Sequence, residues 1–202
     1  MDGGHEIAGV ALAGGMSARM GTEKAFVRLR DATLLELVVA RFRPQVATIF
    51  LSANGDAARF GAFRVDVVPD APRWRQGGPL AGVSAALRHA RAIGFAELAT
   101  VPCDTPFLPL DLVARLKSAK DRTGAIVAVA RNPRGLEPMF ALWGVGALEA
   151  LDAALARGEK SPRKVLAALF AAEVAFEAGD GPDPFANLNA AEDVADAAKF
   201  AL

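Results

Sequence analysis

Short apolar runs alternate with helical patterns over the first two thirds of the chain. Ile7–Leu12, Thr48–Ala53, Val65–Val68, Leu98–Val101 and Ala125–Ala130 are brief and flanked by loop residues. That is the form expected of parallel strands buried on both faces. Between them lie helical patterns at Leu34–Phe42, Leu80–Ala92 and Leu110–Lys120. Thr33 precedes the first, with Glu36 three residues on, which is the spacing of a capping box. Asp111 reads as a cap at the start of the third. This alternation predicts right-handed crossovers and an α/β sandwich. After Ala130 the rhythm changes. "EPMFALW" predicts a further strand, antiparallel in sense, and Leu148, Leu151 and Leu155 mark one face of a helix. Ser161-Pro162 reads as N-cap and N1 of another helix. The tail from Ala190 closes with an amphipathic helix. With no long linker, repeat or low-complexity block, residues 1–202 are expected to form one α/β domain.

Composition narrows the function. Of 202 residues 52% are hydrophobic and the mean hydropathy is +0.25, ample material for a core. Lys+Arg and Asp+Glu are equal at 23 each. A zero net charge argues against nucleic acid or an anionic membrane as a partner, since either needs a broad basic surface. The single cysteine, Cys103, excludes an internal disulfide and a Cys-rich zinc site. His5 and His89 are far apart, which argues against a His-dependent triad. The opening "MDGGHE" is acidic where a signal peptide would be basic, and no apolar run approaches a membrane span. A soluble, cytoplasmic protein is expected.

The first strand runs into "VALAGGMSARMGTEKAF", residues 10–26. Ligands of open α/β sheets sit at the carboxyl ends of strands, and this loop leaves such an end. Gly14 and Gly15 would let backbone N–H groups approach phosphate oxygens, and Arg19 and Lys24 supply positive charge. A dinucleotide-binding fingerprint needs a glycine where Met16 stands, and the second strand ends in "SAN" without the acidic residue that would grip a ribose. A P-loop needs Gly-Lys-Ser/Thr, whereas Gly21 is three positions from Lys24. Glycine content alone leaves a solvated surface turn as an equal alternative.

More specific is "LAGGMSARMGTEK", Leu12–Lys24, which resembles the nucleotidyltransferase signature Leu-Ala-Gly-Gly-x-Ser-x-Arg-Met-Gly-x-Asp/Glu-Lys. Four further segments match in order: "SAN" (Ser52–Asn54), "VVPD" (Val67–Asp70), "GPLAG" (Gly78–Gly82) and "PCDTPFLP" (Pro102–Pro109). A fifth, "FANLNAAEDV" (Phe185–Val194), resembles an Asn-x-Asn-Thr-Pro-Glu-Asp-Leu ending. Together these resemble the molybdenum cofactor guanylyltransferases within the nucleotidyltransferase superfamily. The resemblance implies a three-layer α/β sandwich with a mostly parallel, Rossmann-like sheet of the nucleotide-diphospho-sugar transferase type. It implies that the terminal phosphate of molybdopterin attacks the α-phosphorus of GTP with Mg²⁺ assisting. Backbone at Leu12, Ala13, Gly14 and Gly15 would meet guanine and phosphates, with Gly78 beside them. Lys24 and Arg19 would act on the triphosphate, Asn54 and Asp70 would contact the nucleoside, and Asp104 would hold Mg²⁺ and touch the nucleotide. Asn187 and Asn189 would face the acceptor. Delivery of the cofactor to molybdoenzyme apo-proteins or their chaperones could coexist with catalysis. Nucleotidyl transfer asks for positioning and charge stabilisation, so scarce histidine is no obstacle.

Each residue also has a plainer reading. Asp104 could cap the following helix, Asp70 could form a turn before Ala71-Pro72, and Asn54-Gly55 is a natural turn pair. Cys103 is expected to be a buried strand-end thiol. Trp74 could stack on a ring or be an ordinary loop aromatic. Arg157, Lys160, Arg163 and Lys164 suit a solvated helix edge or a pterin phosphate. Lys24, as a cation on a flexible loop, is expected to have little core to support. Two departures stand out: Glu137 replaces a histidine found in many relatives, and Ala190-Ala191 replaces Thr-Pro. A relative using CTP or another phosphorylated acceptor is the close alternative. Loss of Lys24 or Asp104 would have indicated a non-catalytic nucleotide-binding adaptor, and both are present.

Overall fold

The computed structural model describes residues 6–13, 24–75, 77–177, 181–189 and 191–200. Strand β1 (Ile7–Leu12) lies near the middle of a seven-stranded sheet. A two-residue pair, β2 (Arg28–Leu29) and β3 (Ala32–Thr33), forms a small antiparallel hairpin apart from it. The remaining strands are β4 (Thr48–Ser52), β5 (Asp66–Val68), β6 (Glu97–Pro102), β7 (Val127–Asn132), β8 (Gly135–Gly144) and β9 (Ala172–Ala175). Their order is β5-β4-β1-β6-β8-β7-β9. All pairings are parallel except those of β8, which runs antiparallel to both neighbours. The carboxyl ends of β1, β4, β5, β6 and β7 therefore share one edge.

Period-2 alternation gives the central strands two buried sides, while the edge strands β5 and β9 are only partly covered. Ile7, Ala11, Ile49, Leu51, Ala99 and Val101 face α1 (Leu34–Phe42) and α3 (Leu112–Thr123). Ala8, Val10, Phe50 and Leu98 face α2 (Pro79–Ala92), α4 (Leu148–Ala156) and α5 (Pro162–Ala168). The result is three layers, helix on sheet on helix. The last helix, α6 (Ala191–Ala197), joins neither layer. Its Ala197 packs with Leu29, Leu34, Phe107 and Leu188 in a separate apolar cluster.

Capping follows the sequence at two helices and departs from it at a third. Thr33 and Glu36 form the reciprocal box at α1, and Ser161 accepts from Lys164 N at α5. Asp111 makes no side-chain cap to α3. Gln45, reaching over from the turn after α1, accepts from Val113 N at 3.1 Å and takes the donor that Asp111 was expected to hold. The Asp111 carboxylate lies 3.7 Å from Arg115 instead. Strand β9 gave no strand signal: it is a short, alanine-rich edge strand whose partner β7 lies some forty residues earlier in the chain.

The "GPLAG" glycines have backbone reasons. Gly78 precedes α2 with φ 63° and ψ −154°, a conformation essentially confined to glycine. Gly82 sits where α2 crosses β4, and a Cβ there would lie 2.4 Å from Ser52 Oγ and 3.4 Å from Leu12 Cδ2. Ser52 is buried and has little room to move. Gly82→Ala should therefore destabilise the fold by about 1–3 kcal/mol through overpacking. Thermal unfolding should register a Tm several degrees lower, and an unchanged Tm would mean that α2 can lift off β4 freely.

Candidate functional site

Parallel pairing brings the loops after β1, β4, β5 and β6 together at one edge. Leu12 pairs with Ser52 on one side and Pro102 on the other. Ala13, buried, continues the strand by donating to Ser52 O at 2.9 Å, and Cys103 N donates to Leu12 O at 3.1 Å. Cys103 is a buried thiol, as expected. The backbone past β1 is thereby clamped from both sides.

The loops after β4 and β5 are joined to each other. Asn54 Nδ2 donates to Asp70 Oδ2 at 2.8 Å, and Asp70 N donates to Asn54 Oδ1 at 3.0 Å. The family resemblance implies that each contacts the nucleoside. The structure makes them one rigid two-bond unit, with Gly55 turning away at φ 90°.

The centre of charge lies past β6. Asp104 is 5% exposed, and Lys24 Nζ donates to its Oδ2 at 2.6 Å. The same ammonium donates to Asn189 Oδ1. Leu188 N donates to Asp104 O at 3.0 Å, and Asn189 N donates to Asp193 Oδ2 at 2.8 Å. Three distant stretches of chain thus meet on one cation. Asp104 is not a helix cap. Nor is Lys24 a loosely held loop charge, because it opens a 3-10 turn, Lys24–Phe26, whose Ala25 is fully buried. Asn189, read as an acceptor contact, touches Lys24 beside Asp104, while Asn187 is exposed, its carbonyl accepting a long contact from Asn189 Nδ2 at 3.5 Å. Gly14, Gly15 and Arg19 lie outside the described residues.

The closing segment spans the same edge. Arg134, in the β7–β8 turn, binds Asp183, and Phe185 is buried against Phe140 and Phe176. From there the chain reaches Leu188 and Asn189 at the end of β6. Glu137 of β8 accepts from Asn132 Nδ2 at 2.9 Å. Burial pushes its carboxyl up, and Asp183 adds to that rise, against the opposing pull of Arg134, Arg163 and the Asn132 hydrogen bond. Trp74 packs against the α2/α4 side of the core with the Arg73 guanidinium 5.1 Å from its ring centroid. Of the basic run, Arg163 is not merely solvated, for it donates to Leu136 O of β8 at 2.6 Å. Asp152 of α4 was not singled out in the sequence. It gathers Ser84 Oγ at 2.5 Å, Arg88, and Arg73 at 3.3 Å, tying the loop before α2 to two helices.

Residues 9–174 match the MobA-like NTP transferase domain family. A molybdenum cofactor guanylyltransferase of Rhodobacter capsulatus is 42% identical over 189 residues, covering 94% of this chain and 93% of that protein. Among solved structures, molybdopterin-guanine dinucleotide biosynthesis protein A of Archaeoglobus fulgidus superposes with a TM-score of 0.74 at 22% identity, over 96% of this chain and 97% of its own. A Mycobacterium tuberculosis protein solved in complex with manganese gives 0.64 at 20% identity, over 96% and 98%. At those identities the two structures speak for the fold, a sandwich of the nucleotidyltransferase type.

The Lys24–Asp104 pair generates a stability prediction. Removing the ammonium leaves a buried carboxylate without its cation, which is costlier than losing a surface pair. Lys24→Ala should lower stability by about 2 kcal/mol, or roughly 4–8 °C in Tm for a chain of this size. Adding Asp104→Asn to it should restore much of the loss. Thermal unfolding of the single and double variants checks both, and a Lys24→Ala protein that melts with the wild type would show that the pair contributes nothing.

Proposed function

Because the chain belongs to the MobA-like NTP transferase family, we propose that it transfers GMP from GTP to the terminal phosphate of molybdopterin and releases pyrophosphate. The observation that carries this reading is the cluster of Lys24, Asp104 and Asn189 at the carboxyl edge, in a chain that aligns along most of its length with molybdenum cofactor guanylyltransferases.

An acceptor phosphate oxygen attacks the α-phosphorus of GTP. A new P–O bond forms, the bond to the bridging oxygen of the β-phosphate breaks, and the electron pair leaves with pyrophosphate. Such a reaction needs in-line placement and neutralisation of charge growing on the leaving group. Backbone at Leu12, Ala13, Gly14 and Gly15, with Gly78 at the head of α2, would approach the guanine and phosphates closely. The Asn54–Asp70 unit would face the nucleoside, its two internal hydrogen bonds keeping both side chains in fixed rotamers. Lys24 and Arg19 would neutralise the triphosphate. Asn187 and Asn189, on the closing segment, would face the acceptor.

The donor set at Asp104 fits a divalent cation. Its carboxylate and the Asn189 amide oxygen already converge on one positive charge, and hard oxygen ligands suit Mg²⁺. When bound, Mg²⁺ would stabilise charge on the phosphates. Among the described residues no group of three or more His, Cys, Asp or Glu side chains could hold a metal ion. A single carboxylate should bind metal weakly until nucleotide phosphates complete the shell, so metal and GTP should each raise the other's affinity by the same factor.

Incubation with Mg²⁺, molybdopterin and each of the four NTPs should release pyrophosphate with GTP in marked preference to CTP. Preference for CTP would move the protein to a cytidylyl activity. Asp104→Asn should lower turnover by about 100-fold or more, as loss of a transition-state charge contact does, and should abolish the mutual enhancement of Mg²⁺ and GTP binding in calorimetry. Asp111→Asn should stay active, since that carboxylate neither caps α3 nor reaches the site. Intact coupling in Asp104→Asn would remove Asp104 from the metal site.

A further inference from the structure

The ammonium of Lys24 occupies a point at which two side-chain oxygens are aimed. Asp104 Oδ2 accepts from Nζ at 2.6 Å, and Asn189 Oδ1 is the second acceptor. The backbone builds this convergence: Leu188 N donates to Asp104 O, and Asn189 N donates to Asp193 Oδ2. A hard divalent ion would seek the same two oxygens, at about 2.1 Å for Mg²⁺. The ammonium and the metal therefore compete for nearly one position. Like charges so close repel strongly where water is largely excluded, so the two cannot share it.

The two members of this ion pair differ in their freedom to move. The Asp104 side chain is 7% exposed and that of Lys24 is 25% exposed, so the lysine is the member that reaches solvent. Its backbone is fixed independently of the ion pair. Val27 N donates to Lys24 O at 3.1 Å, and the next residue, Ala25, is fully buried. The flexible four-carbon stem can then swing the ammonium away while the turn that carries it stays in place. The bond from Leu188 N to Asp104 O involves no lysine atom, so the closing segment keeps that anchor when the ammonium leaves.

We propose that the Lys24 ammonium and the divalent ion exclude one another at Asp104, so that the site takes its metal only in company with a triphosphate. This rests on the reading of Asp104 as the metal carboxylate. Before nucleotide binds, the ammonium satisfies both oxygens, and a metal ion from solution must first break that pair. A triphosphate offers the ammonium other anionic oxygens. With Lys24 drawn to them, Asp104 and Asn189 are released to the metal. No covalent bond changes; one cation replaces another at one carboxylate. The apparent affinity for free metal is thereby reduced to the fraction of molecules in which Lys24 has left Asp104.

The test is binding of Mn²⁺ alone, without nucleotide, to the wild type and to Lys24→Met, followed through the paramagnetic resonance signal of the free ion. Methionine removes the charge and keeps most of the stem, so the affinity for Mn²⁺ should rise at least about tenfold. The same rise is expected of Lys24→Gln, which retains a donor for Asp104 and so disturbs the fold less. Lys24→Arg keeps the charge and should bind free Mn²⁺ no better than the wild type. Adding Asp104→Asn to Lys24→Met should abolish the gain. Saturating Mn²⁺ should also restore much of the Tm that Lys24→Met loses, while leaving the wild-type Tm nearly unchanged. Unchanged or weaker Mn²⁺ binding in both uncharged variants overturns the proposal and leaves the ammonium a brace. A gain that persists in the double variant places the metal elsewhere and also overturns it. A wild type in which Mn²⁺ and GTP do not enhance each other's binding removes the metal reading of Asp104 and this inference together. A wild type that couples them, with indifferent uncharged variants, removes the inference alone.

Discussion

The ammonium of Lys24 is the point on which the site's architecture converges. Asp104 is carried into a nearly water-free position at the end of a central strand, where an unpaired carboxylate would be strongly unfavourable. Neutralising it recruits the end of the opening loop. The same ammonium then recruits Asn189, and Leu188 donates to the Asp104 carbonyl, so the closing segment is drawn over the carboxyl edge. Docking of α6 against Leu29, Leu34 and Phe107 follows from that placement. One buried charge thus organises residues 24, 104 and 189.

The two ends of β6 make an instructive contrast. At its amino end Glu97 is also largely buried, and Lys120 of α3 pairs with it at 2.6 Å, with Lys117 at 3.7 Å. Both lysines stand on one face of one helix, three residues apart, and that pair serves the fold. At the carboxyl end Asp104 pairs with Lys24 from 80 residues away, and that lysine in turn holds Asn189 from 165 residues away. Partners carried outside the α-helices can change contacts without unseating a helix, which the Glu97 lysines cannot do.

The sheet's single reversed strand brings two kinds of connection to that edge. β1, β4 and β5 present loops that leave the sheet, and these carry the rigid Asn54–Asp70 unit. β8 enters where its neighbours leave, so the β7–β8 hairpin presents Arg134 and Glu137 at the same edge from the opposite direction. Asp104 stands between the two sets.

Local chemistry was legible from the chain alone. The five strands, α1 with its Thr33–Glu36 box and the Ser161-Pro162 start of α5 all follow from periodicity, caps and turns acting over a few residues, although β5 proves to be a partly exposed edge strand and not one buried on both faces. The antiparallel sense of β8 was legible too, since "EPMFALW" follows β7 too closely for a crossover helix. What required tertiary structure involves partners distant in sequence. No pattern around Asp111 shows that Gln45 would take its place at α3, and none around Ala172–Ala175 shows that β7 would recruit an alanine-rich edge strand. Lys24 read as a free loop cation because its anchor, Asp104, lies eighty positions away. Asn54 and Asp70 likewise read as two separate contacts. Side-chain periodicity records which face of an element is buried; which charges become neighbours is decided only when the sheet order brings their strand ends together.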